Sequence, residues 1–159
     1  MSAATIIEQL DVLIKLHESL NKLAVQKTEV IKKGDMEKLN KLLIEEQKYV
    51  KAIQQVENKR QLSVEQFFQN TKQKSLLDVI ETSSPSEQKT LNEQRNQLLQ
   101  IIAELKNTNN LNQQLIYHSL QYVNITLDML RPQETNLNYG QTSVVNQGRI
   151  SRGMFDSRA

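Results

Sequence analysis

The chain has 159 residues, 20 basic and 18 acidic side chains, a net charge of +2, and no cysteine. Without cysteine, disulfide scaffolds, thiolate metal sites and thiol nucleophiles are excluded. The charges are interspersed with no run of five like charges, so the sequence offers no basic stripe for nucleic acid. Gly and Pro are too few for an all-β fold, which needs frequent turns. The composition therefore predicts an all-α protein.

The first predicted helix carries a stripe of residues at alternating steps of four and three. Such spacing predicts a helix of roughly 30 residues. Lys32-Lys33-Gly34 ends it, because cations favour the negative end of a helix and Gly can adopt the left-handed capping conformation. Asp35 then caps the next helix, which a link this short turns back antiparallel. The stripe comprises Ile6, Leu10, Leu13, His17, Leu20, Ala24, Lys27 and Ile31.

The second predicted helix follows Asp35, and its regular pattern weakens after about Arg60. Ser63 with Gln66 resembles a capping box that opens a short segment with Phe67-Phe68. A second short apolar run follows at 76–80. These pieces either continue the second helix with a break or fold over the end of a helix bundle. The apolar arc of the helix itself comprises Leu39, Leu43, Glu46, Val50 and Ile53.

The third predicted helix has the clearest start, with Ser84 at N-cap, Pro85 at N1 and Glu87 at N3. Nothing interrupts it before Pro132, so its length is about 45 residues. A helix this long must pack against partners over its length. We therefore predict an antiparallel three-helix, coiled-coil-like bundle over residues 1–132.

Residues 133–159 hold three of the four glycines and show no sustained apolar period. This composition predicts a flexible C-terminal tail with short recognition motifs. At the other end of the chain, the first residues lack a basic region, and no apolar run in the sequence approaches 18 residues. We therefore expect neither a signal peptide nor stable insertion into a membrane.

The sequence lacks the side-chain groupings that catalysis requires. His17 and His118 are the only histidines, and neither has a second His at the spacing of a helical zinc site. His17 falls in the first stripe, where we expect a hydrogen-bonded seam residue. There is no glycine-rich phosphate loop. We predict a cytoplasmic binding protein that is not an enzyme and needs no cofactor or metal.

The third helix widens its apolar surface over its last twenty residues. One arc continues through Ile116, Leu120, Val123, Leu127 and Leu130, and a second arc appears beside it. Two interpretations remain open. Either the other helices or the Phe67-Phe68 segment cover this surface, or it is a face on which a client docks. The second arc, our candidate client-binding set, comprises Leu111, Leu115, Tyr122, Ile125 and Met129.

An amide-rich stretch precedes this wide surface, with six Asn or Gln side chains in residues 107–114. Asn109 and Asn112 project toward the core arc. They form either a buried polar layer that fixes the helix register or a solvated, locally kinked stretch. The periodicity alone does not distinguish these two interpretations.

Several segments together resemble the FlgN family of flagellar export chaperones. The resemblance covers residues 1 to about 140, and it lies in the order and lengths of the pieces. They are Ile6-Ile7-Glu8-Gln9-Leu10, Leu20-Asn21-Lys22-Leu23, Lys33-Gly34-Asp35, Leu39-Asn40-Lys41-Leu42-Leu43, Glu45-Glu46-Gln47-Lys48-Tyr49, the long third helix, and Tyr139-Gly140.

This resemblance implies a cytoplasmic, non-enzymatic chaperone that binds hook–filament junction proteins of the FlgK and FlgL type and delivers them to the cytoplasmic domain of the export gate. In the family the C-terminal part engages the client, which coincides with the Leu111–Leu130 surface. A tyrosine beyond the last long helix docks on the gate, which maps to Tyr139 with Gly140. The alternative is a structural coiled-coil protein that self-associates through the same wide surface.

Overall fold

A computed structural model describes residues 2–69 and 73–130 of the chain. This part contains four helices and no strand, which confirms the all-helical class. The chain divides into two units, Met1–Ile116 and Tyr117–Ala159. The predicted tail lies outside the described residues. The helices are α1 Ala4–Lys33, α2 Met36–Phe67, α3 Leu76–Thr82 and α4 Pro85–Leu130.

Helix α1 buries the predicted stripe, apart from His17. That residue is half-buried, and its Nδ1 atom lies 2.7 Å from the carbonyl oxygen of Leu13. The helix ends as predicted, because Gly34 adopts φ +69° and its N–H donates to the carbonyl of Ile31. The Asp35 side chain accepts a hydrogen bond from the backbone N–H of Lys38 at 3.1 Å, which caps α2.

Helix α2 runs back along α1. The Lys27 ammonium pairs with the Glu46 carboxylate near one end of the hairpin, and Gln9 Nε2 donates to Ser63 Oγ at 2.9 Å near the other. As residue numbers rise along α1, those of the contacting residues on α2 fall. The predicted antiparallel arrangement of these two helices is therefore confirmed.

Within the first unit, α4 runs in the same direction as α1. Gln94 Nε2 donates to the carbonyl oxygen of Ile7 at 3.0 Å, and Asn112 Nδ2 donates to that of Ala24 at 2.9 Å. Its start is as predicted, since the helix begins at Pro85 and the Ser84 hydroxyl donates to the Glu87 carboxylate at 2.9 Å.

The predicted capping box at Ser63 is wrong. Helix α2 continues unbroken through Phe67, and the Ser63 hydroxyl donates to the carbonyl of Lys59 one turn earlier, at 3.0 Å. The same hydroxyl accepts from Gln9 of α1, so tertiary packing retains this turn as helix. The capping box lies instead at Ser75, whose backbone N–H donates to the Asp78 carboxylate at 2.6 Å and opens α3.

Two apolar clusters fill the core of the first unit. The first contains residues of all four helices, and α3 with Phe67 and Phe68 packs into it at the end of the helices. For residues 62–84 we had predicted either a continuation of the second helix or a segment folded over the end of the bundle. The structure contains both, because α2 extends to Phe67 and α3 packs over the end of the helices. The second cluster comprises Leu20, Ala24 and Leu105, packed against Tyr49, Val50 and Ile53.

Candidate functional site

The C-terminal segment of α4, residues 117–130, exposes an unusual number of apolar side chains. Eight of its fourteen residues are large apolar side chains between 43% and 74% exposed. Isolated exposed apolar residues are ordinary, but a contiguous set of this kind is typical of interaction sites. The eight are Tyr117, Leu120, Tyr122, Val123, Ile125, Leu127, Met129 and Leu130.

The five predicted client-binding residues lie in both units. Leu111 is exposed and Leu115 is half-buried, both in the first unit. Tyr122, Ile125 and Met129 are exposed in the second unit. The structure thus brings the last three together on one helical segment. Phe67 and Phe68 pack against the first core cluster of the first unit.

Seven of the eight exposed apolar side chains of residues 117–130 form two faces of the helix, and Tyr117 lies in neither of them. At about 100° per residue, Tyr122, Ile125 and Met129 fall within about 60° of arc, which we call the first apolar face. The second apolar face spans about 80° and comprises Leu120, Val123, Leu127 and Leu130. The centres of the two faces are roughly 150° apart. Thr126 separates them on one side, and Gln121, Asn124 and Asp128 separate them on the other.

Charge is absent from most of this region. The sequence from Asn107 to Leu127 contains no Asp, Glu, Lys or Arg, in a chain of which 24% is charged. Two polar side chains of the segment bond to their own helix, since Gln121 Nε2 donates to the Tyr117 hydroxyl and Thr126 Oγ1 to the carbonyl of Tyr122. Apart from Asp128, a partner of this segment therefore meets aliphatic, aromatic and uncharged polar groups.

The amide-rich stretch of α4 is helical throughout and includes a buried polar contact. Asn112 is 3% exposed, and its Oδ1 accepts a hydrogen bond from Thr28 Oγ1 at 2.5 Å while its Nδ2 donates to the carbonyl of Ala24. Asn109 is half-buried. Of the two interpretations of this stretch, the structure supports the buried polar layer.

A buried ion pair lies in the same part of the first unit. Lys27 Nζ is 2.5 Å from Glu46 Oε2, and both side chains are less than a tenth exposed. The sequence contained a signal for this pair, because Lys27 and Glu46 each interrupt an apolar stripe. We placed both in their stripes but did not predict that they meet.

Sequence analysis missed a groove between the end of α1 and the start of α2. Its volume is about 460 Å³, and its lining consists of three aliphatic, three charged and one amide side chain. Neither helix alone carries a sequence signal for it, because residues of both helices line the groove. It is lined by Val25, Gln26, Glu29, Val30, Lys38, Lys41 and Leu42.

Residues 2–69 and 73–130 contain no group of three His, Asp or Glu side chains that could hold a metal ion. In the same ranges no helix has the length and apolar character needed to cross a membrane. Tyr139 and Gly140, the predicted gate-docking residues, lie outside the described residues.

Comparison with known proteins assigns the chain to a family. The family model described as FlgN protein matches residues 1–146. A protein of Bacillus subtilis (strain 168) described as "Uncharacterized protein YvyG" is 38% identical over 160 residues, which cover 100% of each chain. No solved structure matches. Because the family model matches more than nine-tenths of the sequence, the chain belongs to the FlgN family of flagellar export chaperones.

Proposed function

We propose that this protein is a cytoplasmic chaperone, without enzymatic activity, that binds hook–filament junction proteins of the FlgK and FlgL type and delivers them to the flagellar export gate. Family membership supports the chaperone class. The observation that carries the client-binding part is the set of eight exposed apolar side chains in residues 117–130. A monomer exposes such a surface at a cost in solubility unless a partner covers it.

The scaffold in this proposal is an antiparallel three-helix bundle of α1, α2 and the first part of α4. The contacts of α1 with α2 at Lys27–Glu46 and with α4 at Asn112–Ala24 support it. In this proposal the bundle serves to present the binding segment of α4 to the client.

We infer that the client docks an amphipathic helix on the first apolar face, in the helix-on-helix mode of peptide recognition. Tyr122 and Met129 are suited to this, since a tyrosine combines a large apolar ring with a polar tip and a methionine adapts to irregular surfaces. Leu111 and Leu115 complete the client-binding set in this proposal.

We expect Ile125→Asp or Met129→Asp to lower affinity for a FlgK-type or FlgL-type junction protein by at least about tenfold, because a carboxylate buried in an apolar contact loses its hydration without compensation. Isothermal titration calorimetry measures the affinity. Asn124→Asp is the matched control, since it adds the same charge on the polar side of the same segment. Circular dichroism must show unchanged helicity, and unfolded variants would mean that these side chains belong to a core.

The competing function is self-association through the same segment, as in a structural coiled coil. A chaperone is expected to be a monomer or weak dimer that binds the C-terminal segment of a junction protein one to one. Sedimentation velocity with and without that segment distinguishes the two. A stable oligomer that is indifferent to the client would favour the structural role.

We further propose that Tyr139 and Gly140 dock on the cytoplasmic domain of the export gate. Tyr139→Ala is then expected to leave client affinity unchanged and to reduce secretion of the junction protein, because delivery and client binding use different parts of the chain. Secretion of the client into the medium by a strain carrying the variant is the measurement. Unchanged secretion would remove Tyr139 from the mechanism.

A further inference from the structure

The second apolar face of residues 117–130 is exposed as well as the first. Leu120, Val123, Leu127 and Leu130 are 43% to 74% exposed. We propose that the client supplies two helices, one for each face, so that residues 117–130 pack as the third helix against a client helix pair. This inference rests on the proposed chaperone function and specifies the partner that it requires.

The angular separation of the faces is the first argument. A helix that packs on one neighbour uses an apolar stripe a little over 100° wide, whereas a helix that is apolar on most sides is buried among several neighbours. Counted with the gap at Thr126 between them, the two faces span about 220° of the helix circumference, and their centres are roughly 150° apart. A single docked helix therefore covers one face and leaves the other in water.

The exposed area is the second argument. The eight apolar residues of the segment together expose on the order of 1,000 Å², more than the roughly 800 Å² that one partner contributes to a standard interface. The first face has three of the eight residues, so five exposed apolar side chains lie outside it. A client that contacts only that face would leave a large apolar surface exposed in the complex.

The charge pattern specifies the chemistry of the client helices. Residues 107–127 contain no Asp, Glu, Lys or Arg, so within the segment 117–130 only Asp128, which lies between the two faces, could pair with a charged residue of the client. Each client helix is therefore expected to present an apolar face, with its charges directed to solvent. Binding should depend little on salt, because screening acts on charge–charge attraction.

The experiment compares the two faces with a purified full-length FlgK-type junction protein as the probe. We expect Val123→Asp and Leu127→Asp to lower affinity by at least about tenfold, the same threshold as for Ile125→Asp on the first face. Asn124→Asp, which lies between the faces, serves as the charge control. Circular dichroism verifies helicity, and titrations at low and high salt test the charge argument.

The outcomes separate this inference from the proposed function. Loss of binding on both faces supports the helix pair. If Ile125→Asp loses binding and Val123→Asp and Leu127→Asp bind as the parent does, one helix is sufficient: the inference fails and the proposed function stands. If none of the three loses binding, the proposed function fails and the inference fails with it.

A second measurement avoids charged substitutions, which could perturb folding. The chain has no cysteine, so Val123→Cys and Ile125→Cys each introduce a single thiol whose alkylation rate reports coverage of one face. We expect the junction protein to slow alkylation at both positions. Slower alkylation at Ile125→Cys alone would overturn the inference. Slower alkylation at Val123→Cys in the absence of client, increasing with chaperone concentration, would also overturn it, because a second copy of the chaperone would then cover that face.

Discussion

Two buried polar contacts join α1 to its neighbours in the first unit. The Lys27–Glu46 ion pair connects α1 with α2, and Asn112 connects α4 with the Thr28 hydroxyl and the Ala24 carbonyl of α1. Apolar seams tolerate a shift of one heptad, whereas a shift here would bury these polar groups without partners. The two contacts therefore specify how the helices align along their length.

The ion pair leads to a prediction at the level of single residues. Lys27→Met is expected to lower the free energy of unfolding by about 3–5 kcal/mol, because it leaves the Glu46 carboxylate buried and unpaired. The double variant Lys27→Met, Glu46→Leu should recover most or all of this loss, since an apolar pair needs no compensation. Urea denaturation followed by circular dichroism measures both.

The exposed pair Lys15–Asp11, with its atoms 2.8 Å apart, provides the control. Lys15→Met should change the free energy of unfolding by less than about 1 kcal/mol, because solvent already screens that pair. Equal effects of Lys27→Met and Lys15→Met would contradict the role assigned to the buried pair.

The start of α4 is fixed by one carboxylate that serves two helix ends. Glu87 accepts hydrogen bonds from the Ser84 hydroxyl at 2.9 Å, from the backbone N–H of Ala3 at 2.9 Å and from the Ser2 hydroxyl at 3.1 Å. These donors favour the ionised form. The hydrogen bond from the Ser84 side chain, followed by that from the Ala3 backbone, lowers the pKa of Glu87 below its ordinary value.

A pH dependence follows from this junction. A carboxyl group whose pKa is lower in the folded than in the unfolded state stabilises the fold above its unfolded pKa, and this contribution is lost as the pH falls through the folded pKa. Glu87→Gln should therefore be destabilising at pH 7, and the difference from the parent should shrink below about pH 4. Thermal unfolding of both chains at pH 7 and pH 3 measures this.

Glu93→Gln, at an exposed position of the same helix, is the matched control for that experiment. Its effect on thermal unfolding should be small at both pH values. A loss of stability on Glu87→Gln that is the same at pH 7 and pH 3 would show that ionisation of Glu87 does not contribute, which would remove charge from the explanation.

At the scale of the elements, local sequence determined the helix ends that depend on local contacts. Gly34, Asp35 and Ser84 each act within one turn of their own helix, and each was predicted. The predicted capping box at Ser63 was wrong because the contacts of this residue are not local. Its hydroxyl accepts a hydrogen bond from Gln9 of α1, 54 positions away in the sequence. Packing against α1 thus keeps α2 helical beyond Arg60, where its apolar periodicity weakens.

At the scale of the whole molecule, the sequence determined the helical class, the family and the widening of the apolar surface of α4. The helical class and the widening follow from periodicity and composition, whereas the family follows from the match of the family model to residues 1–146. The fold decided which apolar residues are covered. Leu91 and Leu105 are buried in the first unit, whereas Val123 and Ile125 of the same helix are exposed. Exposure depends on neighbours distant in sequence, so the periodicity of one helix could not distinguish a core from a binding surface.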